Sequence, residues 1–399
     1  MKMNPQPPQK QELLARIQSL YNALNAQSPE WEAAFIVDKI NQYYFTATMQ
    51  DGVFILKQDG DYAYCVRNSY ERAKDESPLD NIFQMGSYKS AAEVVGIKSG
   101  NVFIEAEKMP YAMLERLKKY FSITDVLPID RHILSIRGVK SPYELSQMEE
   151  SGRQHKILFE SIVPTLLQEG MNEVELTALL YNEMVRLGYH GVSRFSMFQT
   201  ECVIGQLGFG TNSLYPTNFD GPGGMKGMCS AVPIIGDRNR TLKKGDLVFI
   251  DVGYGYNGYH TDRTQVYSYG AAPSDEVAAA HSECMRVQKE LAAALKPGAI
   301  PSDLYNNAAF TNRNVRFLGH GVGLYIDEFP VITDRFVAPL KENMTIAIEP
   351  KIGIDGVGVV GVEDTYVVTK EGGCCLTGGE KSIIVADSWC DRVCCRDFI

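Results

Sequence analysis

Two aspartates set into apolar, strand-forming sequence constrain this chain more than any other feature. The stretch from Gly245 to Gly270 reads GDLVFIDVGYGYNGYHTDRTQVYSYG. Asn257-Gly258 between two runs of β-formers predicts a hairpin with a two-residue loop. Tyr256 then faces Tyr259, so paired residue numbers sum to 515, Asp251 faces Thr264 and Asp262 faces Gly253. Side chains alternate with period two along a strand, which puts Asp251 and Asp262 on one face as diagonal neighbours. A bare carboxylate closing the run Leu247, Val248, Phe249, Ile250 is costly unless it is paired or bound to metal. Together the two aspartates are within reach of one or two divalent cations. Turn-capping, or pairing with arginines, is the competing account.

The chain has 399 residues, enough for two or three domains with ample core. Its formal net charge of -10 excludes nucleic acid as the main partner, because phosphate binding needs a basic face. The opening MKMNPQPPQKQELLARIQ lacks the apolar core of a signal peptide, and no apolar run approaches the ~18 residues of a membrane span. The expectation is a soluble, cytoplasmic protein with no membrane or nucleic-acid partner. Nine cysteines without a secretory signal predict reduced thiols. Five fall late, at Cys374, Cys375, Cys390, Cys394 and Cys395, without the paired spacing of zinc or iron-sulfur sites. They are read as free thiols.

Taken in order, the first part of the chain predicts a helix over 9–26 and strands over 34–37, 43–48, 52–57, 62–66, 102–105 and 123–128, with a helix over 111–120. This is a mixed α/β domain with no cluster of chemistry-bearing residues. The second part opens on Ser141-Pro142-Tyr143-Glu144, a capping box with proline at the first helical position, and the helix is expected to run to about Ile162. Further helices are predicted over 172–187 and 274–295. Helices interleaved with antiparallel hairpins indicate an α+β domain. Between them lies Gly205 to Asn239, read as an irregular, flexible wall over a pocket; its glycines lack the context of a phosphate-binding loop.

Three further ligand candidates follow. His320 sits among Gly319, Gly321 and Gly323, which suggests close backbone approach to a bound species. Glu349 ends the strand-like Met344-Thr-Ile-Ala-Ile, where Met344, Ile346 and Ile348 share the opposite face. Glu363 lies inside a second apolar run, Val359 to Val368. The two glutamates flank Asp355-Gly356. A two-residue loop there would pair numbers summing to 711 and place them on opposite faces. Convergence needs an even sum such as 712, hence a three- or five-residue loop or a bulge. Asp251, Asp262, Glu349 and Glu363 carry four negative charges, and His320 adds a neutral nitrogen ligand. Two divalent cations balance that charge. A purely structural cluster would need several arginines, and only Arg263, Arg313 and Arg316 are local in sequence.

These residues resemble the M24 metallopeptidase family, the pita-bread enzymes that include methionine aminopeptidase, aminopeptidase P and prolidase. The resemblance covers nearly the whole chain. The family ligands are an Asp in a DxG strand end, an Asp eleven residues on, the His of GHGxGL, a Glu in an EPG-like strand and a Glu before Asp-Thr. They fall on Asp251, Asp262, His320, Glu349 and Glu363. Ile136 to Leu145 resembles the RxxKSPxEL opening of a catalytic domain behind a creatinase-type N-terminal domain. The implied organisation is a creatinase-like domain over 1–138 and a pita-bread catalytic domain over 139–399, in the prolidase and aminopeptidase P branch, whose two-domain members commonly form homodimers.

The resemblance implies a hydrolase with two divalent ions (Mn, Co, Zn or Fe) that cleaves the bond before proline with a metal-bridging hydroxide. Glu349 doubles as proton shuttle, and Thr264 and Thr365 orient carboxylates. Three departures stand against it. The second histidine expected seven residues after His320 is Asp327, the arginine expected in the dipeptidases is Val331, and no histidine stands among Pro233, Ile234 and Ile235. Asp327 is therefore a candidate acid, base or cation-binding group, with turn-capping as its plain alternative. The departures keep open an amidohydrolase or lyase acting on a non-peptide small molecule, with a non-catalytic homologue ranked last.

Overall fold

A computed structural model describes residues 7–97, 100–197, 200–217, 223–311, 315–379 and 381–386. Cys390, Cys394, Cys395 and Arg313 lie outside the described residues. The chain divides into two compact units, Met1–Arg137 and Gly138–Ile399. Among the described residues no helix is long and apolar enough to cross a membrane.

The first unit places a helix, Lys10–Gln27, before a six-stranded mixed sheet. Its strands are β1 (Ala33–Ile36), β2 (Asp51–Lys57), β3 (Tyr62–Asn68), β4 (Ile82–Gln84), β5 (Gly100–Ile104) and β6 (Ile123–Pro128), in the order β4-β3-β2-β1-β5-β6. Phe35, Ile55, Cys65, Val102 and Phe121 build one core cluster on it. One expected strand is wrong: Tyr43 to Thr48 falls largely in a helix, Lys39–Thr46. Asp38 decides this by accepting hydrogen bonds from the Ile40 and Asn41 amides at its start, and Ala47 closes it in a left-handed conformation. Burial of Tyr44 and Phe45 in the core outweighs their preference for strands.

Glu105, just past β5, is fully buried. It accepts from the Val37 and Asp38 amides (2.5 and 2.7 Å) and from Asn41 Nδ2 (2.7 Å). Burial, reinforced by the Asp38 charge, pushes its pKa up to about 7. A carboxyl raised in the folded state contributes stability that is complete below its unfolded pKa of about 4.5 and lost as pH rises through about 7. Wild-type protein is expected to lose on the order of 3 kcal/mol from this residue between pH 4.5 and pH 8.5. Urea unfolding followed on buried Trp31 checks this: Glu105→Gln should remove that part of the slope, and equal slopes would contradict it.

The second unit contains the three expected long helices at Pro142–Ile157, Glu173–Leu187 and Asp275–Ala294. Ser141 and Glu144 form the expected capping box, and Asn172 and Glu175 form another. The first helix does not stop before Pro164. It widens into a π-turn at Leu158–Ile162 and continues as Val163–Leu166, the local widening accommodating Pro164, which has no N–H to donate. The strands are β7 (Gly205–Phe209), β8 (Leu247–Tyr256), β9 (Tyr259–Tyr269), β10 (Gly319–Gly321), β11 (Glu328–Ile332), β12 (Thr345–Ile348), β13 (Lys351–Ile354), β14 (Gly358–Gly361), β15 (Asp364–Thr369), β16 (Gly372–Cys375) and β17 (Ile384–Ala386). They form a five-stranded sheet β11-β10-β12-β15-β16, a four-stranded sheet β17-β9-β8-β7 and the pair β13-β14. A bridge from Thr264 to Glu363 links the first two.

Both predicted registers are observed. In β8-β9 Tyr256 pairs with Tyr259, Asp251 with Thr264 and Gly253 with Asp262. In β13-β14 Lys351 pairs with Gly361 and Ile354 with Gly358, a sum of 712 with a three-residue loop. The segment after Gly205 is less irregular than expected, because it begins with strand β7 on the edge of β8 and a single 3₁₀ turn, Gly210–Leu214. Its glycines hide the strand from a propensity reading. They are there for close approach: a Cβ at Gly205 would collide with the Asp251 carbonyl, and Gly205 has φ of +155°. Residues 218–222 of that segment lie outside the described residues.

Candidate metal centre

The two registers bring all five expected ligand residues together. Asp251 and Asp262 come from β8 and β9, His320 from the middle of β10, Glu349 from the residue after β12 and Glu363 from the residue before β15. Met344, Ile346 and Ile348 join a core cluster on the far side of their strand, so Glu349 is left to the cage. His320 Nε2 lies 3.3 Å from Glu349 Oε1, 3.7 Å from Glu363 Oε1 and 3.9 Å from Asp262 Oδ2. All four carboxylates are buried.

A sixth residue belongs to this cage, and the sequence reading overlooked it. Lys351 Nζ lies 2.8 Å from Asp251 Oδ2, 2.8 Å from Glu349 Oε2 and 2.9 Å from Glu363 Oε2. The signal was present, since residues two apart on an extended chain share a face and Lys351 follows Glu349 by two. It stands where the resembling motif carries glycine. Arginine does not balance the cage, because Arg263 pairs with Glu160 (3.2 Å) and with Asp364 (3.8 Å) instead.

Glu349 and Glu363 therefore each turn one oxygen toward His320 and the other toward Lys351. Burial raises the Asp251 carboxyl to about 6 against the pull of Lys351. Burial, with the Glu363 and Asp251 charges, holds Asp262 well above its ordinary value. Glu349 ends below its ordinary value because the Lys351 and His320 charges overcome burial. The carboxylates likewise hold Lys351 and His320 well above theirs, although burial opposes it.

The surrounding contacts separate the remaining candidates. The Thr264 hydroxyl donates to Glu363 Oε2 at 2.9 Å. The Thr365 hydroxyl accepts from the Asp262 amide (2.8 Å) and donates to the Asp262 carbonyl (3.0 Å), holding the backbone rather than the carboxylate. Asp327 stands outside the cage contacts, where it accepts from the Ser196 amide (3.0 Å) and hydroxyl (3.1 Å). Burial raises its pKa against those bonds. His260, two residues before Asp262 on β9, has Nε2 3.3 Å from His190 Nε2. Burial lowers both, to about 4 and about 3, so the pair is neutral at physiological pH. Gly253 and Gly255 make room on β8, since a Cβ at either would collide with Ile326 or with the His190 ring.

Among the described residues, two sets of side chains have ligand atoms close enough together to hold a metal ion: Asp262, His320 and Glu363, and Asp251, Glu349 and Glu363, each with atoms within 4.8 Å of one another. The model of metallopeptidase family M24 matches residues 146–370, more than half the chain. The chain belongs to metallopeptidase family M24. The Creatinase/Prolidase N-terminal domain model matches residues 16–139 of this M24 chain. A Xaa-Pro dipeptidase from Pyrococcus furiosus is 28% identical over 365 residues, 88% of this chain and 95% of that protein. A putative dipeptidase from Bacillus subtilis is 25% identical, covering 88% and 95%. The solved prolidase from Pyrococcus horikoshii superposes with a TM-score of 0.77 at 24% identity, over 93% of this chain and 100% of that one. The fold is thus the pita-bread fold of the prolidases and aminopeptidase P, and the M24 chain is a hydrolase.

Lys351 holds three buried carboxylates, so Lys351→Met should be severely destabilising in metal-free protein. A loss of about 3–5 kcal/mol is expected for removing one partner from a buried ionic cluster. Chemical denaturation in chelator at neutral pH measures it. A loss below about 1 kcal/mol, the scale of an exposed ion pair, would show that the ammonium is not compensating these charges.

Proposed function

We propose that this M24 hydrolase is a metal-dependent peptidase acting on small peptides with proline after the first residue, and that it cleaves the bond before that proline. The single observation that carries the reading is the convergence of Asp251, Asp262, His320, Glu349 and Glu363 in one buried cage. The Xaa-Pro dipeptidase relative, alike over nearly its whole length, supports the substrate class.

The Asp262, His320 and Glu363 set fits a divalent cation. Glu363 Oε1 is buried on that side with no hydrogen-bond partner, and a mixed carboxylate and imidazole donor set suits Mn, Fe, Co or Zn. The other set does not fit a second ion as it stands, because Lys351 Nζ lies among its oxygens. A divalent cation supplies, when bound, acidification of water and polarisation of the scissile carbonyl.

The chain's own residues do the rest. Glu349, held ionised beside Lys351, takes a proton from the attacking water at its carboxylate and returns it to the leaving nitrogen. Thr264 fixes the rotamer of Glu363, and Thr365 fixes the β9 backbone that carries Asp262. Asp327 ties down the Ser196 segment and serves as a positioning residue.

Protein loaded with Mn, Co, Zn or Fe should cleave Xaa-Pro dipeptides or tripeptides before the proline, and no cleavage of either substrate with any of the four would overturn the reading. Glu349→Gln should lower kcat on the order of 10²–10⁴-fold while leaving the circular dichroism spectrum unchanged. Undiminished turnover in that variant would remove Glu349 from its role.

A further inference from the structure

We propose that the Lys351 ammonium takes the place of one divalent cation, so that the cage holds a single metal ion, on the side of Asp262, His320 and Glu363. The inference rests on the metal-dependent reading above and fixes the composition of that same site.

Three observations carry it. An ammonium has three N–H donors, and Lys351 Nζ is within 2.9 Å of one oxygen from each of Asp251, Glu349 and Glu363. Those three residues are one complete set of metal-ligating side chains. An ion bound to the same oxygens at the usual ~2.0–2.2 Å would fall almost on top of the nitrogen, so the two exclude each other sterically as well as by charge.

The lysine is also seated for this position. It lies at the start of β13, opposite Gly361, and is 1% exposed. A Cβ at Gly361 would stand 2.6 Å from Lys351 Cγ, so the missing side chain makes room for the lysine stem. Nζ lies 5.8 Å from the centre of the Phe249 ring, which closes the site with an aromatic face favourable to a cation.

The shared glutamates divide their oxygens accordingly. Glu363 Oε2 accepts from Lys351 and from Thr264, whereas Oε1, buried and without a hydrogen-bond partner, faces His320. Glu349 Oε2 accepts from Lys351 while Oε1 faces His320. One half of the cage is thus filled by a protein cation and the other offers an imidazole nitrogen and carboxylate oxygens. The ammonium cannot exchange into solvent as an ion does, and it presents hydrogen-bond donors where a second metal would present a Lewis acid.

The test is the metal content of the full-length protein dialysed against excess Mn²⁺, counted by elemental analysis and examined by electron paramagnetic resonance. Wild type should bind one Mn²⁺ per chain with an uncoupled six-line spectrum. Lys351→Gly, which clears the second set of oxygens, should bind two with a spin-coupled spectrum. His320→Ala in the wild-type background should lose the single ion. Two ions in wild type would overturn the inference and leave the metal-dependent reading standing. No ion in either wild type or Lys351→Gly, with Mn²⁺ or with Co²⁺, Zn²⁺ or Fe²⁺ in its place, would overturn the metal-dependent reading itself. A folded Lys351→Gly protein that still binds one ion would show that something other than the lysine excludes the second. The wild-type count decides the matter even if that variant fails to fold.

Discussion

Four carboxylates buried in one cage are the constraint on which the catalytic unit depends. At an effective dielectric of 20, two like unit charges 4 Å apart repel by about 4 kcal/mol, and here buried carboxylates have oxygens within 4.8 Å of one another. Cations standing among the oxygens relieve this repulsion directly. The structure supplies one from its own chain, Lys351, and directs an imidazole and the remaining carboxylate oxygens toward a second position. The cluster is thereby a stability requirement and, under the function proposed above, the source of the chemistry. The same repulsion that makes it expensive makes it a strong cation trap.

Strand register turns this electrostatic demand into geometry. A slip of one residue in β8-β9 would turn Asp262 to the other face, and a two-residue loop between β13 and β14 would separate Glu349 from Glu363. Both features could be read from the sequence, because Asn257-Gly258 fixes one register and the need for the glutamates to converge fixes the other. The three long helices could be read as well, from capping residues that satisfy backbone donors at Ser141, Asn172 and Ser274. Where local chemistry and tertiary demand agreed, pattern and spacing were enough.

The features that escaped have physical reasons. Tyr43 to Thr48 carries strand-forming residues, but Asp38 caps a helix there and burial outweighs propensity. Strand β7 hides behind glycines whose purpose is close approach to β8 rather than flexibility. Lys351 escaped because a lysine in an apolar strand reads as solvent-facing until its neighbours are known. Only the three-dimensional meeting of Asp251, Glu349 and Glu363 shows that it is caged. Asp327 occupies the place of a substrate-contacting histidine in the resembling motif, yet its hydrogen bonds go to Ser196, a partner 131 residues away that no local pattern reveals.

The most direct measurement is a crystal structure of the Mn²⁺-loaded protein with anomalous data collected at the manganese edge. The account predicts one anomalous peak, bounded by Asp262, His320, Glu349 and Glu363, with Lys351 Nζ still within hydrogen-bonding distance of Asp251, Glu349 and Glu363. Two anomalous peaks, with the lysine displaced from the cage, would contradict it.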